Sequence, residues 1–132
     1  MALDRVRRVL IVDDVPFCQA ALKKCLLTAG YDVACCVSGT EALRLLMREP
    51  GITAVLCDLM MPQMDGVDLL RRAMILRWAQ GLEPLPFILL TASCDTHRLR
   101  QAEKAGFLSV IHKPASRERL LQALNDSVKQ SA

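Results

Sequence analysis

The chain has 132 residues, 52% hydrophobic and only 4% aromatic, with a net charge of +3. That is the size of one ordinary domain with an aliphatic core, and a second folded domain does not fit. No long Lys/Arg block marks a nucleic-acid surface, no apolar run approaches the roughly 18 residues of a membrane span, and the start lacks a signal-peptide stretch.

Apolar blocks of strand length alternate with segments of helical period. The first strand is Val9 to Val12, and a helix follows with Pro16 in its first turn, where a missing N–H costs nothing. Its inner stripe is expected to hold Phe17, Ala21, Leu22, Cys25, Leu26 and Ala29, ending at Gly30. The second strand is Asp32 to Val37. Ser38 and Glu41 then form a capping-box signature, and Ala42, Leu45 and Leu46 face inward from the next helix.

The third strand is Ala54 to Cys57. A loop from Asp58 to Gly66 leads to a helix with Val67, Leu70, Met74 and Trp78 at inward spacing. Gly81 to Pro86 is a longer connection before the fourth strand, Phe87 to Leu90. The helix from Thr96 to Ala105 has a thin apolar stripe of Leu99, Ala102 and Ala105. The fifth strand is Leu108 to His112, and Ser116 can cap a last helix that buries Leu120, Leu121, Leu124 and Val128.

Five β–α units with near-continuous apolar strands call for a parallel sheet covered by helices on both faces. The expected fold is α/β: a flavodoxin-like, doubly wound, five-stranded sheet in order 2-1-3-4-5 with five helices. The expected domain is single, 1–132, with a core of about 6–128.

The basic clusters Arg5, Arg7, Arg8 and Arg71, Arg72 read as solvated surface. None of the six cysteines (Cys18, Cys25, Cys35, Cys36, Cys57, Cys94) forms a C-x-x-C pair, which argues against zinc or thioredoxin chemistry. Free thiols in a reducing cytoplasm are the simplest reading. His97 and His112 have no second histidine at ligand spacing. The Cys57 side chain should face away from that of its neighbour Asp58.

The polar residues that end the apolar runs carry the chemistry. Asp13 and Asp14 follow the first strand, Asp58 the third, Thr91 the fourth and Lys113 the fifth. In an open parallel sheet these positions converge on one edge. Two carboxylates about 4 Å apart repel by roughly 4 kcal/mol at an effective dielectric near 20, so three of them need a positive partner. Hard oxygen ligands with open water positions suit Mg²⁺. The plainer reading is that Asp13 and Asp14 only cap the first helix.

With these residues in order, the chain resembles the receiver domains of two-component response regulators. The matching residues are Asp13-Asp14, the stretch Asp58-Leu59-Met60-Met61-Pro62-Gln63-Met64-Asp65-Gly66, Thr91-Ala92 and Lys113-Pro114, within about Val6 to Val128. The resemblance implies that Asp58 accepts a phosphoryl group from phosphohistidine on a sensor histidine kinase or histidine phosphotransfer protein. It implies Mg²⁺ held by Asp14, Asp58 and the backbone carbonyl of Met60, with Asp13 acting largely through water. It gives Lys113, the Thr91 hydroxyl and the Ala92 N–H to the phosphoryl oxygens. Lys113-Pro114 resembles the family's cis peptide. The expected protein is a cytoplasmic signalling switch that binds a downstream protein target and neither nucleic acid nor membrane, with phosphorylation-dependent dimerisation among its outputs.

One departure stands out. The family's switch aromatic, three residues before the lysine, is Val110 here, and Phe107 sits too early to replace it. A thin fourth-helix stripe suggests that Thr91 moves that helix without an aromatic latch. Two other readings stay open: a receiver-like binding module that is no longer phosphorylated, and a small phosphatase or phosphotransferase with an aspartyl intermediate. Such enzymes typically carry an aspartate two residues after the nucleophile, where Met60 stands. The run Lys129-Gln130-Ser131-Ala132 fits a natural end or a trimmed linker equally well.

Overall fold

The structure is a computed structural model that describes residues 7–131, with side chains up to Val128. Arg5, Val6 and Ala132 lie outside the described residues. Strands and helices alternate: β1 (Arg8–Val12), α1 (Pro16–Thr28), β2 (Asp32–Cys36), α2 (Gly39–Arg48), β3 (Ile52–Asp58), α3 (Gly66–Ala79), β4 (Phe87–Thr91), α4 (Thr96–Ala105), β5 (Ser109–His112) and α5 (Arg117–Ser131). All strand pairs are parallel, in the order β2-β1-β3-β4-β5. The expected order and fold class are both found.

Period-2 alternation splits each strand between two cores. Leu10, Val12, Val55, Cys57 and Leu89 pack with Ala42 and Leu46 of α2, Leu69, Leu70 and Ala73 of α3, and Ala102 of α4. Val9, Ile11, Leu56, Ile88 and Leu90 pack on the other side with Leu26 of α1 and Leu120 and Leu124 of α5. Each fully buried aliphatic side chain here contributes about 1.5–3 kcal/mol. The order reverses between β1 and β3, and a crevice opens outside the strand ends at such a point.

Local chemistry sets the helix ends. Ser38 caps α2, its Oγ accepting from the Glu41 N–H at 3.2 Å. The reciprocal capping box appears on α3 instead, between Asp65 and Asp68. Ser116 Oγ accepts from the Arg119 N–H at the start of α5. Gly106 ends α4 in the left-handed region (φ 113°), which only glycine enters freely.

Two inner stripes differ from expectation. Phe17 is 82% exposed and Ala21 is exposed as well. The first turns of α1 overhang the sheet edge, so these residues border a cleft with Leu90, Pro114 and Ala115 rather than the core. Trp78 is 81% exposed. The inward face of α3 is set by Leu69, Leu70, Ala73 and Arg77, and Trp78 lies one residue round the helix from that face. Strand ends differ by a residue or two: β3 runs from Ile52 through Asp58, β4 includes Thr91, and Phe107 stands before β5, edge-on to Phe87 at 6.2 Å.

Candidate functional site

Asp13 follows β1, and its N–H donates to the Cys36 carbonyl at 3.1 Å, extending the ladder by one residue. Its side chain is 2% exposed. One carboxylate oxygen accepts from the Val15 N–H at 2.8 Å and the other from Lys113 Nζ at 3.0 Å. Val15, not either aspartate, is the N-cap of α1, and no side chain caps that helix. The simple capping reading of Asp13 and Asp14 therefore fails.

Asp58 is the last residue of β3, and its Oδ2 lies 3.4 Å from the same Lys113 Nζ. Carboxylate oxygens of Asp13, Asp14 and Asp58 all lie within 4.8 Å of one another. Lys113 is positioned by its N–H, which donates to the Thr91 carbonyl at 2.8 Å, and its peptide bond to Pro114 is cis. Thr91 ends β4 fully buried, its Oγ1 accepting from the Ser93 N–H at 2.9 Å. Ala92 follows it at the exposed rim, and Met60, half exposed, lies in the loop after Asp58. Thus the sheet edge gathers Asp13, Asp14, Asp58 and Lys113 directly, with Thr91, Ala92 and Met60 on adjoining segments. His97 and His112 are both exposed, and Val110 packs partly buried against the α2–α4 side of the core.

The loop after Asp58 is pinned at several points. The Gly66 N–H donates to the Leu59 carbonyl at 2.9 Å. Met64 N–H donates to the Pro62 carbonyl at 2.8 Å, placing Gln63 (φ 70°) at the centre of a γ-turn, a strained conformation for a side-chain-bearing residue. Asp65 caps α3 and also accepts from Arg98 of α4 at 3.1 Å.

Sequence reasoning missed Gln19. Its Nε2 donates to the Asp13 carbonyl at 2.8 Å and the Cys36 carbonyl at 2.6 Å, tying the acidic turn to β2. A polar residue near a helix start carries no signal that separates this role from solvent exposure.

Burial pushes the Asp58 carboxyl above its ordinary pKa; Lys113 pulls it back and the charge of Asp13 pushes it up again. Burial acts to lower Lys113, but its hydrogen bond to Asp13 and the charges of Asp58 and Asp13 outweigh that and raise it. Burial, and after it the Asp58 charge, raises the Cys57 thiol, which stays protonated in the opposite core. An acid whose folded pKa is raised favours the fold when protonated, and that contribution is lost as pH rises through the folded pKa. In divalent-free buffer at neutral pH, Asp58→Asn is therefore expected to raise the melting temperature by a few degrees. The gain should shrink as pH falls into the carboxylate range; calorimetry at several pH values checks this.

The donor set also fits a cation. Three carboxylates offer hard oxygens, while one ammonium compensates only part of their charge.

A family model described as "Response regulator receiver domain" matches residues 9–125. The chain is 34% identical over 122 residues to the sensory/regulatory protein RpfC of Xanthomonas campestris pv. campestris, covering 92% of this chain and 16% of that protein. It is 36% identical over 125 residues to the transcriptional regulatory protein GlrR of Escherichia coli K12, covering 94% and 27%. The chain thus spans a minor part of these relatives' length. A solved response regulator receiver domain protein from Clostridium thermocellum superposes with a TM-score of 0.86 at 26% identity, covering 96% of this chain and 97% of that one. The Vibrio cholerae chemotaxis protein CheY4 shares the fold, with a TM-score of 0.81 at 24% identity over 93% and 99%.

Proposed function

We propose that this chain, which belongs to the response regulator receiver family, is switched by phosphorylation of Asp58. The observation that carries the reading is the reach of one ammonium, Lys113 Nζ, to both Asp13 and Asp58 beside a third carboxylate. A carboxylate oxygen of Asp58 attacks the phosphorus of a phosphohistidine on a histidine kinase or phosphotransfer protein. The P–N bond breaks, its electron pair leaves with the imidazole nitrogen, and an acyl phosphate remains on Asp58.

The chain's own groups can meet the charge on the transferred phosphoryl oxygens. Lys113 follows by turning its ammonium from the Asp58 oxygen to a phosphoryl oxygen while keeping Asp13. The Thr91 hydroxyl and the Ala92 N–H meet the other oxygens. Asp14, Asp58 and the Met60 carbonyl would hold Mg²⁺ directly, with Asp13 acting through water. When bound, that ion supplies the positive charge that lets the carboxylates and the incoming phosphoryl group share one pocket. Phe17, exposed beside Lys113 in a cleft of about 460 Å³, offers an apolar contact to the donor protein. We assign the reaction to the cytoplasm, in keeping with six free cysteines.

The test is incubation with a small phosphoramidate donor, with and without Mg²⁺, followed by intact mass. One added phosphoryl group that requires Mg²⁺ is expected. No incorporation under any divalent condition would overturn the reading in favour of an inert binding module.

Output through α4 follows from how that helix is held. Ala102 is its one fully buried residue, and Arg98 ties its first turn to Asp65 of the acceptor loop. Drawing Thr91 toward the phosphoryl group shifts the Thr91–Asp95 segment that feeds α4. Amide NMR shifts with a phosphoryl mimic are expected to concentrate in α4 and to grow in Arg98→Ala. Unchanged α4 amides would defeat this coupling.

A further inference from the structure

At the opposite, amino-terminal edge of the sheet a cavity of about 260 Å³ lies among the starts of β1 and β3, the Glu83–Pro86 connection and α5. Its apolar wall includes Ile52, Leu85 and Leu124, and its polar part includes Arg77. Arg77 is 9% exposed, in the last turn of α3. Its Nε donates to the Glu83 carbonyl at 2.6 Å. Among the described residues no carboxylate comes within ion-pair distance of the guanidinium. No buried side-chain nitrogen is both sealed and unpaired, so the terminal nitrogens of Arg77 open to accessible space, and the cavity is the space that Arg77 lines.

A buried guanidinium whose one hydrogen-bond partner is a neutral carbonyl, with Glu83 acting only through space, is under-compensated. Its planar fork matches a carboxylate, which can accept both terminal N–H groups. We propose that this basal cavity binds a small monocarboxylate: the carboxylate on Arg77 and a short aliphatic body against Ile52, Leu85 and Leu124. The volume is below the ~300–1,000 Å³ of drug-sized sites, which limits the body to a few carbons. The Glu83 carboxylate at the same cavity acts on Arg77 through space and disfavours a doubly charged ligand. Burial lowers the Arg77 pKa, and the Glu83 charge offsets only part of that. The carboxylate can come from a free short-chain acid or from an acidic side chain of a peptide.

Amide NMR titrations of the full chain decide this, using sodium butyrate, an amidated peptide with one aspartate, and sodium phosphate, at matched ionic strength. Butyrate or the peptide is expected to give saturable shifts at Ile52, Thr53 and Leu85 while Asp58 and Lys113 stay still. Which of the two saturates identifies the source. Arg77→Met, which keeps the apolar bulk, should weaken binding about tenfold or more, and Arg77→Lys should weaken it with charge retained. Either variant is shown to be folded by phosphoryl uptake on Asp58 or, should that chemistry itself fail, by its dispersed amide spectrum. The proposal is overturned by absent or unsaturable shifts with both carboxylates, by equal shifts with phosphate, or by shifts unchanged in both Arg77 variants.

Discussion

Asp58→Ala is expected to take phosphoryl incorporation to background, with and without Mg²⁺, as read by intact mass. The other two acids cannot stand in for it. Asp13 is 2% exposed, with one oxygen on the Val15 N–H and the other on Lys113, so it lies too deep for the phosphorus of a donor protein to reach. Asp14 lies on the turn after β1, and β3 with Asp58 stands between that strand and β4, which leads to Thr91 and Ala92. Lys113→Ala should leave the acceptor in place but slow labelling about a hundredfold or more, the usual cost of removing one donor to developing charge. It also strands the buried Asp13 carboxylate, so its stability without divalent ions should fall by about 1–3 kcal/mol. A phosphoryl group found on Asp13 or Asp14 in the Asp58→Ala protein would reverse the assignment of the nucleophile.

Gly66→Ala is expected to be the most damaging conservative substitution at the site. A Cβ there would stand 2.5 Å from the Asp58 carbonyl oxygen and 3.2 Å from Leu59 Cα. Both are backbone of the strand end that carries the acceptor, so relief requires α3 or β3 to move. Overpacking of this kind costs about 1–3 kcal/mol, and the backbone clash here puts it at the upper end. Any shift of β3 carries the Asp58 carboxylate away from Lys113, so labelling should fall along with the denaturation midpoint. Gly39→Ala is the control. Its Cβ would meet only side-chain atoms of Met64, Sδ at 2.6 Å, Cγ at 3.0 Å and Cβ at 3.1 Å, so the thioether swings aside and Met64 gives by a few tenths of an ångström, with no clash against backbone. Alanine is also the better helix former at that first turn, so stability should stay within about 1 kcal/mol of wild type. Urea denaturation of both variants tests the contrast, and equal losses would refute it.

The strands and their order were legible because buried parallel strands are apolar without interruption and crossover helices follow one handed rule. The site was legible because its groups stand at the ends of those strands: finding the apolar runs located Asp13, Asp58, Thr91 and Lys113. What could not be read was the roll of each helix. Phe17 and Trp78 stand at inward spacing, yet both face water. Spacing fixes which residues share a face, whereas the reach of the sheet decides where a long helix outruns its support. Nor could the sequence show that Lys113 sits closer to Asp13 than to Asp58, at 3.0 against 3.4 Å, since that depends on the backbone after β5. The capping box on α3 was missed because aspartate fills the third position, where glutamate or glutamine is the usual signal.

Trp78 is the chain's single indole. It stands near the far end of a 14-residue helix whose first residue abuts Asp58. At about 1.5 Å per residue the separation along that axis is ~18 Å. The ring already looks out on solvent, so its emission will sit at the long-wavelength limit in the native protein and move little on denaturation. Ultraviolet excitation is accordingly a blind probe of events in the acidic pocket, and an engineered fluorophore nearer Met60 would be needed to watch them in real time.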